Sequence, residues 1–181
     1  MILDRVQMVR QTLLRLSAEE LRLDVGRPVR ADELSAAEAL VGRKFPEEVR
    51  GVYSDEAGSL RLQWRCSALP RYERGGDLNL LSPERAAARL LDQRNHARDC
   101  CADETAHLLA AWANWLPVFV FASGDAMCVD LDADDCIVFL EHDVADDGPN
   151  LHGLVLGSGL LEFIGRWERH YFAELLDWGA L

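Results

Sequence analysis

The chain is predicted to fold as an α+β domain: a mostly antiparallel central sheet, containing a three-stranded meander, flanked by N-terminal, middle and C-terminal helices. Three observations lead there. Residues 116–122, 126–131 and 136–142 are short apolar runs dominated by Val, Ile and Phe, side chains that suit a pleated, half-buried surface. The breaks between them, Ser123-Gly124-Asp125 and Asp132-Ala133-Asp134-Asp135, are rich in turn formers. They are far too short for a parallel return, so consecutive antiparallel strands follow. On both sides of this stretch apolar residues recur every three to four positions, the period of a helix with one buried face.

Taken in order, residues 2–23 read as helix, with Val6, Val9, Leu13 and Leu16 on one face and Ser17-Ala18-Glu19-Glu20 as a capping box where it restarts. Gly26-Arg27-Pro28 ends that segment, which is expected to be a helical addition to the domain. A second helix starts at Asp32 or at Ser35, whose spacing to Glu38 again suits a capping box; Leu34, Ala37, Leu40 and Val41 form its face and Gly42 ends it. Pro46 opens a short helix that buries Val49, Val52 and Tyr53. Residues 59–66 alternate Leu60, Leu62, Trp64 and Cys66 with Arg61, Gln63 and Arg65, a strand with one wet face. Gly75-Gly76-Asp77 turns the chain into a short strand at 78–81. Ser82 and Pro83 then start a helix that carries Ala86, Leu90 and Leu91 inward and Arg89, Asp92 and Arg94 toward water. A further helix is expected at 105–112. Beyond the meander lie an acidic loop at 141–149, a brief edge segment at 154–156, and a last helix capped by Ser158, with Leu161, Ile164, Trp167, Tyr171 and Leu175 in phase. No repeat or long linker divides the chain, so residues 1–181 form one domain.

With 181 residues the chain can bury a full core without metal or disulfide support. Five cysteines, two of them adjacent at Cys100 and Cys101, are poor material for a disulfide framework and fit a reducing cytoplasm. No run reaches transmembrane length, and the charged start lacks the apolar core of a signal peptide. The net charge of −12 is unevenly spread: residues 1–98 hold 17 basic and 15 acidic residues, and residues 99–181 hold 2 and 16. Phosphate repulsion therefore argues against nucleic acid as a direct ligand, and a basic protein partner is the better match.

The order of several short motifs carries a family resemblance. Residues 32–42 lead into Phe45-Pro46-Glu47-Glu48-Val49, then Tyr53 and Gly58; later come residues 78–84, Trp115-Leu116-Pro117, Gly124-Asp125, residues 128–131, Glu141-His142-Asp143 and Leu161-Glu162-Phe163. Over residues 31–172 the chain resembles the SUKH superfamily, which contains bacterial immunity proteins and fungal regulators of cell-wall assembly. It departs from the family in Phe45, where Leu is usual, in its long acidic loop and in its helical start. The resemblance implies a helix-flanked antiparallel sheet and a non-enzymatic role, the binding and neutralising of a cognate toxin domain; the acidic charge matches a toxin that is a basic nuclease. An intracellular regulatory scaffold of the same fold is the alternative.

Unmixed acidic surface is unusual, because surfaces ordinarily mix signs. Asp132, Asp134, Asp135, Glu141, Asp143, Asp146 and Asp147 are accordingly the candidate partner-binding residues, supplying steering charge toward the toxin. Trp115 joins them as a candidate anchor, although its place beside the first meander strand suits a core residue better. Residues 130–141 also match a calcium loop in part, through Asp130, Asp132, Asp134 and Glu141. Asp135 stands where that loop needs Gly, Val138 offers no ligand, and an extended run carries Glu141 away from Asp130. His96, Cys100, Cys101 and His107 lack the paired spacing of a zinc site. His142 is a lone histidine in an acidic loop, and Gly157-Ser158-Gly159 is not a nucleophile elbow. Neither catalytic residues, nor a metal, nor a cofactor is expected.

Overall fold

The computed structural model describes residues 1–100, 112–133, 135–141, 151–173 and 175. The expected helix at 105–112 falls almost wholly outside them, as do Asp134, His142, Asp143, Asp146, Asp147, Cys101 and His107. Among the described residues the protein is an α+β fold: five α-helices and a seven-stranded antiparallel sheet.

Helix α1 (Ile2–Arg15) buries Ile2, Val6, Val9 and Leu13, the predicted stripe. It stops eight residues short of the expected end. Glu20–Val25 is instead strand β1. Its sequence, ELRLDV, alternates strictly, and antiparallel pairing sets Leu21 beside Trp64, Leu23 beside Leu62 and Val25 beside Leu60. A period of two satisfied by a neighbouring strand outweighs helical propensity in a six-residue piece. Ser17, with φ 56°, turns the chain there and caps nothing.

Helix α2 (Ala31–Val41) begins with Glu33 accepting the Arg30 backbone N–H at 2.8 Å, and its first turn holds Asp32 and Glu33, favourably placed for the helix dipole. Ser35 lies inside the helix, so the expected cap moves upstream. Gly42, at φ 82°, closes it by donating to the Glu38 carbonyl at 2.9 Å. Helix α3 (Glu47–Gly51) runs into a π-helical turn, Val52–Glu56, and buries Val49, Val52 and Tyr53. Strand β2 (Leu60–Arg65) shows the predicted one-sided burial. After a 3-10 turn (Pro70–Tyr72), Gly75 at φ 78° leads into β3 (Gly76–Leu80); a Cβ there would sit 2.0 Å from the Trp64 carbonyl oxygen, so only glycine fits. Helix α4 (Pro83–Cys100) follows, packed on α2 and on β4 (Trp115–Val120). Then come β5 (Ala126–Asp130), β6 (Ile137–Leu140), β7 (Val155–Gly157) and helix α5 (Leu160–Glu168).

The sheet runs β1 to β7 in sequence order, every neighbour antiparallel. Strands β4, β5 and β6 pair in succession, with a register shift between Pro117 and Phe119. Their residues are buried on both faces, whereas β1–β3 keep one wet face, where Arg61 forks onto both carboxylate oxygens of Asp77. Helix α5 turns Leu160, Phe163, Ile164 and Trp167 inward and leaves Leu161 exposed. Its N-terminus is capped across the fold: Glu48 of α3 accepts the Leu161 N–H at 3.0 Å, in place of the expected Ser158. Tyr171 and Leu175 lie beyond the helix end. No helix among the described residues is long and apolar enough to cross a membrane.

Trp167 is fully buried, its ring edge-on to Phe119 and Phe121 of the sheet centre, with its indole N–H donating to the Ala173 carbonyl at 2.6 Å. Trp167→Phe keeps an aromatic there but removes that hydrogen bond and part of the buried ring. Chemical denaturation should show a loss of about 1–3 kcal/mol.

Candidate functional site

The acidic turn between β5 and β6 is built from the strand ends inward. Asp130, last in β5, accepts the Trp115 indole N–H at 2.9 Å through one oxygen and the Asp132 backbone N–H at 2.9 Å through the other. Asp130 N donates to Cys136 O and Cys136 N to Ala133 O, which closes the turn, and Asp135 takes the left-handed conformation at φ 60°. That conformation suits Asp better than most side chains. Asp132 stands outside this frame with its side chain 59% exposed. Both its oxygens have donors: Arg43 Nη1 at 2.6 Å and Asn114 Nδ2 at 2.6 Å. Arg43 also donates to the Leu131 carbonyl.

Arg43 is the residue that sequence reasoning missed. It lies 89 positions from Asp132, and nothing in its own neighbourhood signals the pairing. What aims it is Glu38, the one charged side chain buried among the described residues. Glu38 accepts from Lys44 Nζ at 2.8 Å, Arg50 Nη1 at 2.7 Å and the Phe45 backbone N–H at 3.1 Å, so residues 42–46 wrap around it and present Arg43 outward. Burial pushes the Glu38 carboxyl up, but Lys44, the Phe45 N–H and Arg50 together hold it below the usual carboxylate range.

Helix α4 supplies the second half of the frame. Arg89 donates to the Gly124 carbonyl, Gln93 to those of Trp112 and Trp115, and Arg94 to those of Ala113 and Val41. Arg89 and Arg94 thus do not face water as predicted; carbonyls in turns and at the C-terminus of α2 draw them in. Asp92 is exposed as expected. Burial lowers the Arg94 pKa, and the nearby Arg43 and Arg98 charges add to that.

The remaining candidates are dispersed. Trp115 is only 6% exposed, spent on the core beside the His152 ring. Glu141 is half-buried at the opposite end of the β5–β6 hairpin, where it accepts the Leu151 N–H at 3.1 Å. Since Ala126 pairs with Leu140, Asp130 and Glu141 are separated by the strand length, about 15 Å at roughly 3.3 Å per residue. They cannot converge on one cation. No group of three His, Cys, Asp or Glu side chains suited to a metal occurs among the described residues. His152, whose Nε2 accepts the Trp112 indole N–H, is held below its ordinary pKa by burial, against the pull of Glu141.

No protein-family model matches the sequence, and no curated protein matches it.

The Glu38 cluster makes a pH-dependent contribution. A carboxyl with a depressed folded pKa stabilises fully above its unfolded value and loses that effect as pH falls through the folded one. Glu38→Gln should therefore cost about 1–3 kcal/mol near neutrality. The gap between variant and wild type should close as thermal melts are taken below the ordinary carboxylate range.

Proposed function

We propose that this chain is a non-enzymatic, cytoplasmic immunity-type protein that binds a cognate toxin domain, a basic nuclease being the best chemical match. The observation that carries the reading is the charge distribution: 16 acidic against 2 basic residues in positions 99–181. The motif order shared with the SUKH superfamily supports the same role. The turn adds a physical rationale. Asp132 and Asp135 are exposed on a frame of short hydrogen bonds above strands buried along their length, so a partner would meet charge already held in place. Arg43 modifies the expected single-sign surface by neutralising part of Asp132, and steering toward a basic partner then depends on the balance between them.

Opposite effects are expected at the two ends of this ion pair. Asp132→Lys should slow association with the toxin domain about tenfold or more at low salt, and Arg43→Ala should speed it, both effects shrinking as salt rises. Stopped-flow binding to the C-terminal domain of a secreted protein encoded beside this chain would measure this. Identical rates for wild type and Asp132→Lys would remove the turn from the interface. Failure of the wild-type chain to rescue cells expressing that domain would remove the immunity reading.

A further inference from the structure

The two ends of the sheet are finished differently. Strand β7 is three residues long, and the register shifts between Ile137 and Val138 where it joins β6, so that edge is short and irregular. Strand β1 is six residues long, unbroken in register against β2, and contains no proline. Gly26 donates to the Ser59 carbonyl at 2.8 Å, continuing the same register. Alternation in an antiparallel pair then directs the backbone groups of Glu20, Arg22 and Asp24 toward β2. Those of Leu21, Leu23 and Val25 point outward, and among the described residues no other segment pairs with them. A regular, unpaired edge invites a further strand.

The side chains specify which strand. About Leu23 the sequence reads symmetrically in shape and antisymmetrically in charge: Arg22 and Asp24 flank it with opposite sign, and Leu21 and Val25 flank those as apolar neighbours. We propose that β1 pairs with β1 of a second copy of this chain, antiparallel about a two-fold axis at Leu23. In that register Leu23 opposes the partner subunit's Leu23, and Leu21 opposes Val25. All are residues whose outward N–H and C=O groups need partners, so ladder hydrogen bonds form at every one of them. Arg22 opposes Asp24 twice, once on each side of the axis, on the wet face. The Arg22–Asp24 contact at 2.6 Å within the strand, between exposed side chains, is exchanged for these cross-strand pairs. Val25, 44% exposed in the single chain, gains apolar cover from Leu21 across the axis. A foreign strand would satisfy the backbone equally well but would have to carry the reverse pattern of charge. Strand-to-strand pairing over so short an edge buries less than a standard interface, so the dimer is weak and concentration-dependent. This inference does not depend on the immunity reading.

Sedimentation equilibrium of the full chain over the micromolar range tests it. The mass should rise from 20.3 kDa toward twice that value. Arg22→Glu and Asp24→Arg each create like-charge oppositions at both symmetric positions, and each alone should raise the dissociation constant about tenfold or more, with unchanged circular dichroism. Mixing the two variants should restore association, because the heterodimer again opposes Glu to Arg at one position and Asp to Arg at the other. A wild-type chain that stays monomeric throughout, a dimer indifferent to both substitutions, or a mixture no tighter than either variant alone would overturn the proposal. So would an edge occupied by an extended segment of an unrelated protein in preference to a second copy.

Discussion

The burial of Trp167 is the constraint from which most of the architecture follows. Its ring meets Phe119 and Phe121 at the sheet centre, Phe163 one turn back on α5, and Phe172 beyond the helix end. Its N–H reaches forward to Ala173, and Ala173 bridges to Gly76 of β3. One side chain thereby fixes how the last helix lies on the sheet and where the chain goes afterwards. The cost is visible in the backbone. Tyr171 and Phe172 both adopt left-handed conformations, at φ 54° and 58°, which disfavour side chains of this bulk by about 1–2 kcal/mol each. The Trp64 indole N–H on the Tyr171 carbonyl and the Trp167–Phe172 contact hold them there.

A second centre, polar and built on Glu38, organises the turn after α2. Glu38 is buried because residues 42–46 close over it, and they close because its oxygens satisfy the Phe45 amide and two cations. The consequence reaches the surface: Arg43 is delivered to the β5–β6 turn. The charge segregation seen along the chain is therefore partly undone in space. Arg43 meets Asp132, Arg5 pairs with Glu168, and Arg89 and Arg94 of α4 turn to the carbonyls of Gly124 and Ala113. Asp132, exposed as it is, thus has a cation and an amide against its two oxygens. Asp130 beside it is likewise aimed by identified donors.

The strands that hold the turn and the edge that closes the sheet illustrate two uses of the same geometry. In β4 to β6 both faces are covered, every strand has neighbours on both sides, and the side chains are apolar except for Asp130 at the end of β5. In β1 the outer edge is open and the wet face is charged in an alternating, self-complementary order. The first arrangement makes a rigid platform; the second makes a surface whose pairing chemistry is written in its own residues.

Local periodicity, read from the sequence alone, determined the fold class, the strands at 60–65, 126–130 and 137–140, the stop at Gly42, and the inward face of α1, because each depends on residues a few positions apart. The same reading mistook β1 for helix. Six alternating residues directly after a helix are decided by a strand forty positions away, and Leu21 and Leu23 satisfy either pattern until Leu62 and Trp64 are beside them. It also assigned the cap of α5 to Ser158, when the acceptor is Glu48, and sent Arg89 and Arg94 to solvent. The pairing of Asp132 with Arg43 and Asn114, the spending of Trp115 on the core, and the separation of Asp130 from Glu141 were likewise settled only in three dimensions. Charge and hydrogen-bonding capacity are properties of a residue; which partner uses them is a property of the fold.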